Sequence, residues 1–452
     1  MCWYIHIKKK EGVGMKKRII SLLFVLCMVF VLVGCSGGKE DNAVASGETA
    51  GQGAAETDEG SQKGKLVIYT HHVGVQAQIL QELTDEWLEE NPGVEAEVVA
   101  PGADYENVLK IKMASKDMPD VFGTHGWANV RYVDFLLPLN DEEWAGSIEP
   151  TFKKLISDEE GNLLVLPIDQ NKWGLVYNKD VMEKYGVEVP ITNVDDFIAA
   201  LDKIKTESGG EVAPMHVAGG DSWPVGQIFD QLATPAFTTA AENDQEALLD
   251  GTFDWNKWTE FATLIKGMYD DGYFNEDIFT AKYTDSVEAF ATGKAAFCWY
   301  GNSLVEEAKN INADINAGLQ PLPAFYEGDS MSFLNGEQTA FGIWKESKNI
   351  ELAKSWLAFM SRGENIKKFC ESESMLPGIE TDVSVDLGFA TEYYEEYKDI
   401  RSFPIFDRAF LPNGMWDLIC KDAADMFTGT ISPEQYSLDM KNEYERLREA
   451  SE

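Results

Sequence analysis

The chain has 452 residues, 44% of them hydrophobic and 25% charged, with 77 Asp and Glu against 38 Lys and Arg and a formal net charge of −39. That balance excludes nucleic acid and polybasic docking to anionic lipid. Beyond Cys35 only Cys298, Cys370 and Cys420 remain, far apart and without a C-x-x-C, which excludes a zinc site or disulfide scaffold. All three are expected in the core as small hydrophobes, and spacing leaves open whether any pair bridges.

Read from the start, Lys16-Lys17-Arg18 precedes an apolar run from Ile19 to Val33 that only Ser21 interrupts, and Leu32-Val33-Gly34-Cys35 follows. A basic region, an apolar region and small residues before a cysteine have the layout of a secretory signal. The apolar run is shorter than the roughly 20 residues a membrane span needs. The last four residues resemble a bacterial lipobox, which implies cleavage after residue 34 and lipid on Cys35. Met15 is the expected start of this segment, with Met1 the alternative. Without residues 1–34 the net charge becomes about −44. Residues 36–63 are rich in Gly, Ala, Ser, Glu and Asp and lack apolar periodicity. They cannot bury a core and are expected, with Cys35, to form a tether over 35–64 with a span of about 30 Å.

Some 390 residues remain, more than one growing core holds, so two lobes are expected. Lys65 to Thr70 reads as a buried strand. Ile79, Leu80, Leu83 and Trp87 share one helical face, and Asn91-Pro92-Gly93 ends that helix. Val94, Ala96 and Val98 alternate with Glu95 and Glu97 as a second strand. A helix follows over about 104–115, then a short strand at Asp120-Val121-Phe122. Strands alternating with helices predict an α/β fold with largely parallel sheets. Such sheets bind ligands beyond the carboxyl ends of their strands. The loops there hold His71 and His72; Asp104; and His125 and Trp127. Farther on, Thr192-x-x-Asp195 opens a helix like a capping box, and Phe197, Ile198, Leu201 and Ile204 continue it. Asn256 to Tyr269 is a further helix, Ala295 to Tyr300 a strand, 337–345 includes a strand, and Ile350 to Met360 is a helix. Trp87, Trp258 and Trp356 sit on helical stripes and are expected in the core. No internal repeat is visible.

Motifs spread along residues 65–445 carry a family resemblance. They are Pro119-Asp120-Val121; Tyr177-Asn178-Lys179-Asp180; Pro190-Ile191-Thr192-Asn193-Val194-Asp195-Asp196-Phe197; Gly293-Lys294-Ala295-Ala296-Phe297; and Ser347-Lys348-Asn349-Ile350-Glu351. In order and spacing the chain resembles the bacterial family-1 extracellular solute-binding proteins, the receptors of sugar-type ABC importers. The resemblance implies a two-lobed, type II periplasmic-binding-protein-like fold with a hinge cleft. Lobe one would hold 65–170 with 331–380, and lobe two 171–328 with 385–445. It further implies solute capture outside the cytoplasm, an importer permease as partner, a monomer, and contact with the membrane through the lipid anchor only.

A sugar presents flat C–H faces and a rim of hydroxyls, which aromatic rings and planar polar side chains recognise. The candidates on that ground are Trp127, Asp169, Asn171, Trp173, Asp221, Trp223, Trp299, Tyr300, Asn302, Glu337 and Trp416, with Asp104 and the three histidines. By the resemblance, Asn171 and Glu337 face the cleft and the Asp221–Trp223 loop stacks on solute. Ser303 stands where the family commonly has Trp, and Trp299 or Tyr300 is the expected substitute. The three histidines could together hold a metal; solute contact or loop hydrogen bonding is preferred, and no metal or cofactor is expected. No G-x-S-x-G, Walker loop, H-E-x-x-H or EF-hand loop is present. The alternatives are a receptor for a non-sugar polar solute and a lipid-anchored glycan hydrolase, which needs two carboxylates about 5–10 Å apart.

Overall fold

The fold is seen in a computed structural model that describes residues 64–239 and 243–451; the basic segment, Cys35 and the tether lie outside these residues. Strand β1 (Lys65–Tyr69) buries Leu66 and Ile68. The helix Gly74–Glu90 turns Leu80, Leu83 and Trp87 inward and stops at Asn91, whose N–H bonds the Leu88 carbonyl. Strands β2 (Glu95–Val99) and β3 (Val121–Gly123) flank β1 on either side, both parallel to it. Ten strands follow: β4 (Leu166–Pro167), β5 (Asp169–Trp173), β6 (Leu175–Asn178), β7 (Ala213–Met215), β8 (Ala295–Cys298), β9 (Ala317–Gln320), β10 (Phe333–Glu337), β11 (Ala340–Ile343), β12 (Leu376–Pro377) and β13 (Ser402–Pro404).

They form three sheets, ordered β2-β1-β3-β11-β4, β7-β8-β6-β9 and β12-β5-β10-β13. The first is the sheet of one lobe, the second that of the other, and the third joins them. The mixed α/β class is as expected, but the sheets are less parallel than the strand–helix alternation implies. β6 runs antiparallel to β8 and β9, β11 to β3 and β4, and β5 to β10 and β12. The physical reason is that β4–β6 and β10–β11 carry the chain between lobes and so enter each sheet against its direction.

The apolar residues segregate in the same way. One cluster joins residues from Leu66 to Ile168 with Ala340 to Ile379. Two others draw on residues beyond Leu175, including Trp258, Phe229 and Tyr436 in one and Phe290, Leu304 and Tyr394 in the other. Trp87, Trp258 and Trp356 are fully buried, each such side chain being worth about 1.5–3 kcal/mol of transfer free energy. Cys298, Cys370 and Cys420 are buried and unpaired. The helix Val194–Ser208 begins one residue later than its sequence suggests. Its cap is Asn193, whose side-chain oxygen accepts the Asp196 N–H at 2.9 Å.

Candidate functional site

β5 and β10 lie side by side where the lobes join, with Asn171 opposite Gly336 and Gln170 opposite Glu337. The two-residue period of a strand puts Asp169, Asn171 and Trp173 on one face. Asp169 and Asn171 are wholly buried. One Asp169 carboxylate oxygen accepts the Thr339 N–H at 2.9 Å, and the other has no partner. Asn171 donates to Gln338 Oε1 at 3.1 Å, while its own amide oxygen has none. Glu337 accepts from the Thr124 hydroxyl at 2.8 Å and the Ala128 N–H at 3.2 Å through Oε1, and its Oε2 is unpartnered. Asn335 Oδ1, Gln231 Oε1 and both ring nitrogens of His71 share that condition. Among the described residues, seven of the twelve buried side-chain N and O atoms without a hydrogen bond thus belong to six residues at or beside the joining sheet. A buried polar group left unpaired costs about 1–3 kcal/mol, so their concentration in one region marks a place suited to a polar partner from outside the chain.

The histidines adjoin this region but serve different ends. The His71 ring stacks on His125, with centroids 3.9 Å apart and planes at 14°, and lies 4.0 Å from His72. His72 Nε2 meets the Thr339 hydroxyl at 3.0 Å and its Nδ1 lies 3.6 Å from Glu373, which makes it a support beneath the loop. His125 has φ 49° and sets Nδ1 3.4 Å from Glu106. Burial is the main force lowering all three pKa values, that of His72 to about 3. Stacked neutral rings do not converge their lone pairs on one point, and among the described residues no three or more His, Cys, Asp or Glu side chains are grouped so as to hold a metal ion.

Trp127 is 8% exposed, and Arg131 and Arg408 both stand over its ring. Arg131 pairs with Glu106, which also accepts from the Tyr132 hydroxyl at 3.1 Å. Arg131 reaches the other lobe as well, donating to Asn413 Oδ1 at 3.1 Å, and Lys110 meets Asp417 across the same gap at 3.1 Å. Arg408 donates to the Glu337 carbonyl at 2.9 Å and lies 5.9 Å from the Trp173 ring centroid. Just before it, Asp407 donates its N–H to Asp230 Oδ1 at 2.8 Å. Burial raises the pKa of both these carboxyls, as it does that of Glu337 and, to about 7, that of Asp169.

Trp223 is half-buried and packs edge-on against Tyr300 at 5.5 Å, with Tyr283 at 6.2 Å. Tyr300 is itself engaged, its hydroxyl accepting the Ala218 N–H at 2.8 Å. The next residue, Gly301, sits against the Trp173 indole, so this aromatic group adjoins the joining sheet. Trp416 is half-buried in the first turn of the helix Met415–Phe427, between Asn413 and Asp417, which reach across to lobe one.

Four candidates are placed otherwise. Trp299 is 2% exposed in the lobe-two core, edge-on to Phe197, with its indole N–H on Met215 Sδ; it has no face to offer. Asn302 is 3% exposed and its amide is taken up by the Ser374 carbonyl and the Tyr394 hydroxyl. Asp221 accepts the Tyr283 N–H and pairs with Lys282, fixing a turn. Asp104 is exposed at the start of the helix Tyr105–Ser115 and makes no side-chain cap bond.

Arg131, Gln231 and Arg408 were not found from the sequence, and Asn335 entered only as part of Asn335-Gly336-Glu337, which resembles a cleft-facing motif of the family. The one usable signal was Asp407-Arg408, a charged pair inside the apolar run Ile405 to Phe410. Two surface hollows, one beside Asn178 and Lys184 and one beside Glu90 and Arg362, touch none of these residues.

Residues 74–365 match the family described as bacterial extracellular solute-binding protein. The melibiose/raffinose/stachyose-binding protein MelE of Bacillus subtilis is 35% identical over 433 residues, which covers 95% of this chain and 97% of that protein. A sugar transporter from Bacillus licheniformis, solved in complex with stachyose, superposes with a TM-score of 0.78 at 36% identity, covering 85% of this chain and all of the other. A putative binding protein from Bacillus subtilis, solved in an open conformation, gives 0.77 at 34% identity, covering 86% and 98%. The fold is the two-lobed type II periplasmic-binding-protein fold. Match, relatives and fold agree: the chain belongs to the bacterial extracellular solute-binding protein family.

Proposed function

We propose that this protein captures a sugar, an oligosaccharide of the class that MelE binds, outside the cytoplasm and hands it to an ATP-driven importer. The observation that carries the reading is the group of unpartnered buried acceptors at Asp169, Asn171, Asn335 and Glu337, set beside Trp127 and Trp173. Hydroxyls are donors that satisfy such acceptors, and rings cover the apolar faces that hydroxyls leave. Trp223 and Trp416 extend the aromatic lining on the lobe-two side. The lobes, 65–170 with 331–380 and 171–328 with 385–445, act as rigid bodies about the joining sheet. The protein works as a monomer, binds solute without altering it, and meets importer permease subunits with its outer surface.

A thermal-shift screen against melibiose, raffinose, stachyose, other sugars and non-sugar polar solutes tests this. A ligand that binds only the folded state raises the melting temperature. At least one of the three named sugars is expected to do so; a shift with a non-sugar solute alone would replace the sugar reading. Cys35 is the proposed lipid attachment point, after Leu32-Val33-Gly34. Cys35→Ala is expected to move the protein from the membrane fraction to the medium, and unchanged membrane retention counts against the anchor.

A further inference from the structure

Behind the joining sheet, on the face away from Asn171, a small polar group ties the lobes together. Asn171 and Lys172 point to opposite faces of β5. On the far face the Lys172 ammonium lies 4.9 Å from the Phe333 ring centroid and 5.8 Å from that of Tyr394. The Tyr394 hydroxyl donates to the Lys172 carbonyl at 3.2 Å and accepts from Asn302 Nδ2 at 2.7 Å. Asn302 Nδ2 also donates to the Ser374 carbonyl at 2.9 Å, and the Ser374 hydroxyl donates to Glu306 Oε1 at 2.7 Å. Asn302 and Glu306 belong to lobe two, at the start of the helix Ser303–Lys309. Ser374 belongs to lobe one and ends the helix Gly363–Glu373 in the left-handed conformation, at φ 53°. Asn302 and Ser374 are both buried.

Position decides what such contacts do. When one body turns on another, points near the axis move least and points far from it move most. Across the gap, Lys110 meets Asp417 through the tips of largely exposed side chains. Behind the sheet the bonds are short, and two of them end on backbone carbonyls, so a small displacement breaks them. The chain also closes tightly over the pair: a Cβ added at Gly388 would lie 3.2 Å from Glu306 Oε1 and 3.3 Å from Ser374 Oγ. Three consecutive residues connect this point to the candidate site. Tyr300 packs on Trp223, Gly301 at φ 73° sits against the Trp173 indole, and Asn302 enters the polar group.

We infer that Asn302, Ser374 and Glu306 are positioning residues for capture: they form the pivot on which the lobes turn, and they confine the open protein to orientations from which it can close on solute. This rests on the reading of the cleft as the sugar site. Loss of the pivot adds open orientations that cannot take up sugar. Association then slows in proportion to the fraction that stays competent, and a fraction of about one-tenth slows it about tenfold. Dissociation starts from the closed complex, which the solute itself holds together, and is unchanged.

Two variants of the full mature protein test this. Ser374→Gly removes the hydroxyl and keeps the left-handed backbone, which glycine adopts freely. Asn302→Ala removes both donated bonds. Stopped-flow tryptophan fluorescence with stachyose gives association and dissociation rates separately. Both variants are expected to associate more slowly, Asn302→Ala by about tenfold and Ser374→Gly by less, with unchanged dissociation and circular dichroism. Wild-type association in both variants overturns the pivot; a loss of folding stability alone gives that result, because it leaves the rates of the folded fraction where they were. Faster dissociation with unchanged association also overturns it, since the residues would then act on the bound solute. Should Asn302→Ala fail to fold, Ser374→Gly decides. Absence of stachyose binding by wild type counts against the sugar reading. Small-angle scattering without sugar still decides the pivot in that case: a larger radius of gyration in Ser374→Gly supports it, and a radius equal to that of wild type overturns it.

Discussion

Asp169 is a carboxyl with no exposed surface, one backbone N–H on one oxygen and nothing on the other. Burial outweighs the hydrogen bonding from Thr339 and Gln338 and raises its pKa to about 7, with Glu337 nearby adding to the rise. A carboxyl raised in this way binds its proton more tightly folded than unfolded. Its contribution to stability is present below the unfolded pKa near 4 and is lost as pH rises through about 7. Asp169→Asn keeps an oxygen for the Thr339 N–H and removes the titration. Relative to wild type, the variant is expected to gain stability between pH 5 and pH 8, read as the difference in melting temperature at the two ends; a difference that stays constant across that range contradicts the assignment. At this scale Asp169 and Asn171 were candidates because their segment precedes the Tyr177–Asp180 motif and the resemblance turns Asn171 to the cleft; that they lie on one strand and share a face comes from the structure. Trp299 and Tyr300 show how one residue reverses the outcome. Phe297 and Trp299 face the same core, both edge-on to Phe197, while Tyr300 turns toward Trp223. β8 ends at Cys298, and the bend that follows turns Trp299 and Tyr300 to different surroundings, which a sequence read as one strand to Tyr300 does not show.

Helices and strands were legible because each carries its own period and stop. The first strand-helix-strand unit and the helices near residues 256–269 and 350–360 follow from apolar spacing alone. The start of the helix Val194–Ser208 was misplaced by one residue because Thr192 and Asn193 are both good caps. The backbone decides between them: Asn193 is extended, at φ −140° and ψ 167°, and its side chain reaches the Asp196 N–H. Asn193→Ala is therefore expected to cost about 1 kcal/mol in urea unfolding, with Thr192→Ala costing much less. Equal losses would restore Thr192 as the cap. The antiparallel pairings of β6 and β11 were not legible, because they depend on where the chain crosses between lobes. The surroundings of Arg408 were hidden for the same reason. Trp127 and Glu337 come from segments far from residue 408, and only the fold brings them to it.

At the scale of the whole molecule, the apolar residues form separate cores that the joining sheet connects through the short strands β5, β10, β12 and β13. Of the polar contacts across the gap, Lys110 to Asp417 is largely exposed and adds little, which leaves Arg131 to Asn413, one part-buried hydrogen bond. Cooperativity between the lobes is then weak, because unfolding one exposes little of the core of the other. A sugar in contact with both lobes changes this. Its binding free energy is lost when either lobe unfolds, so it stabilises each by the same mass-action term. Scanning calorimetry without sugar is expected to give a broad or split transition, with the calorimetric enthalpy above the van't Hoff value. With saturating stachyose the transition is expected to move up and sharpen toward two-state behaviour. A single two-state transition already present without sugar would mean that the joining sheet alone makes the lobes one cooperative unit, and hinge motion would then have to occur within a fully coupled fold.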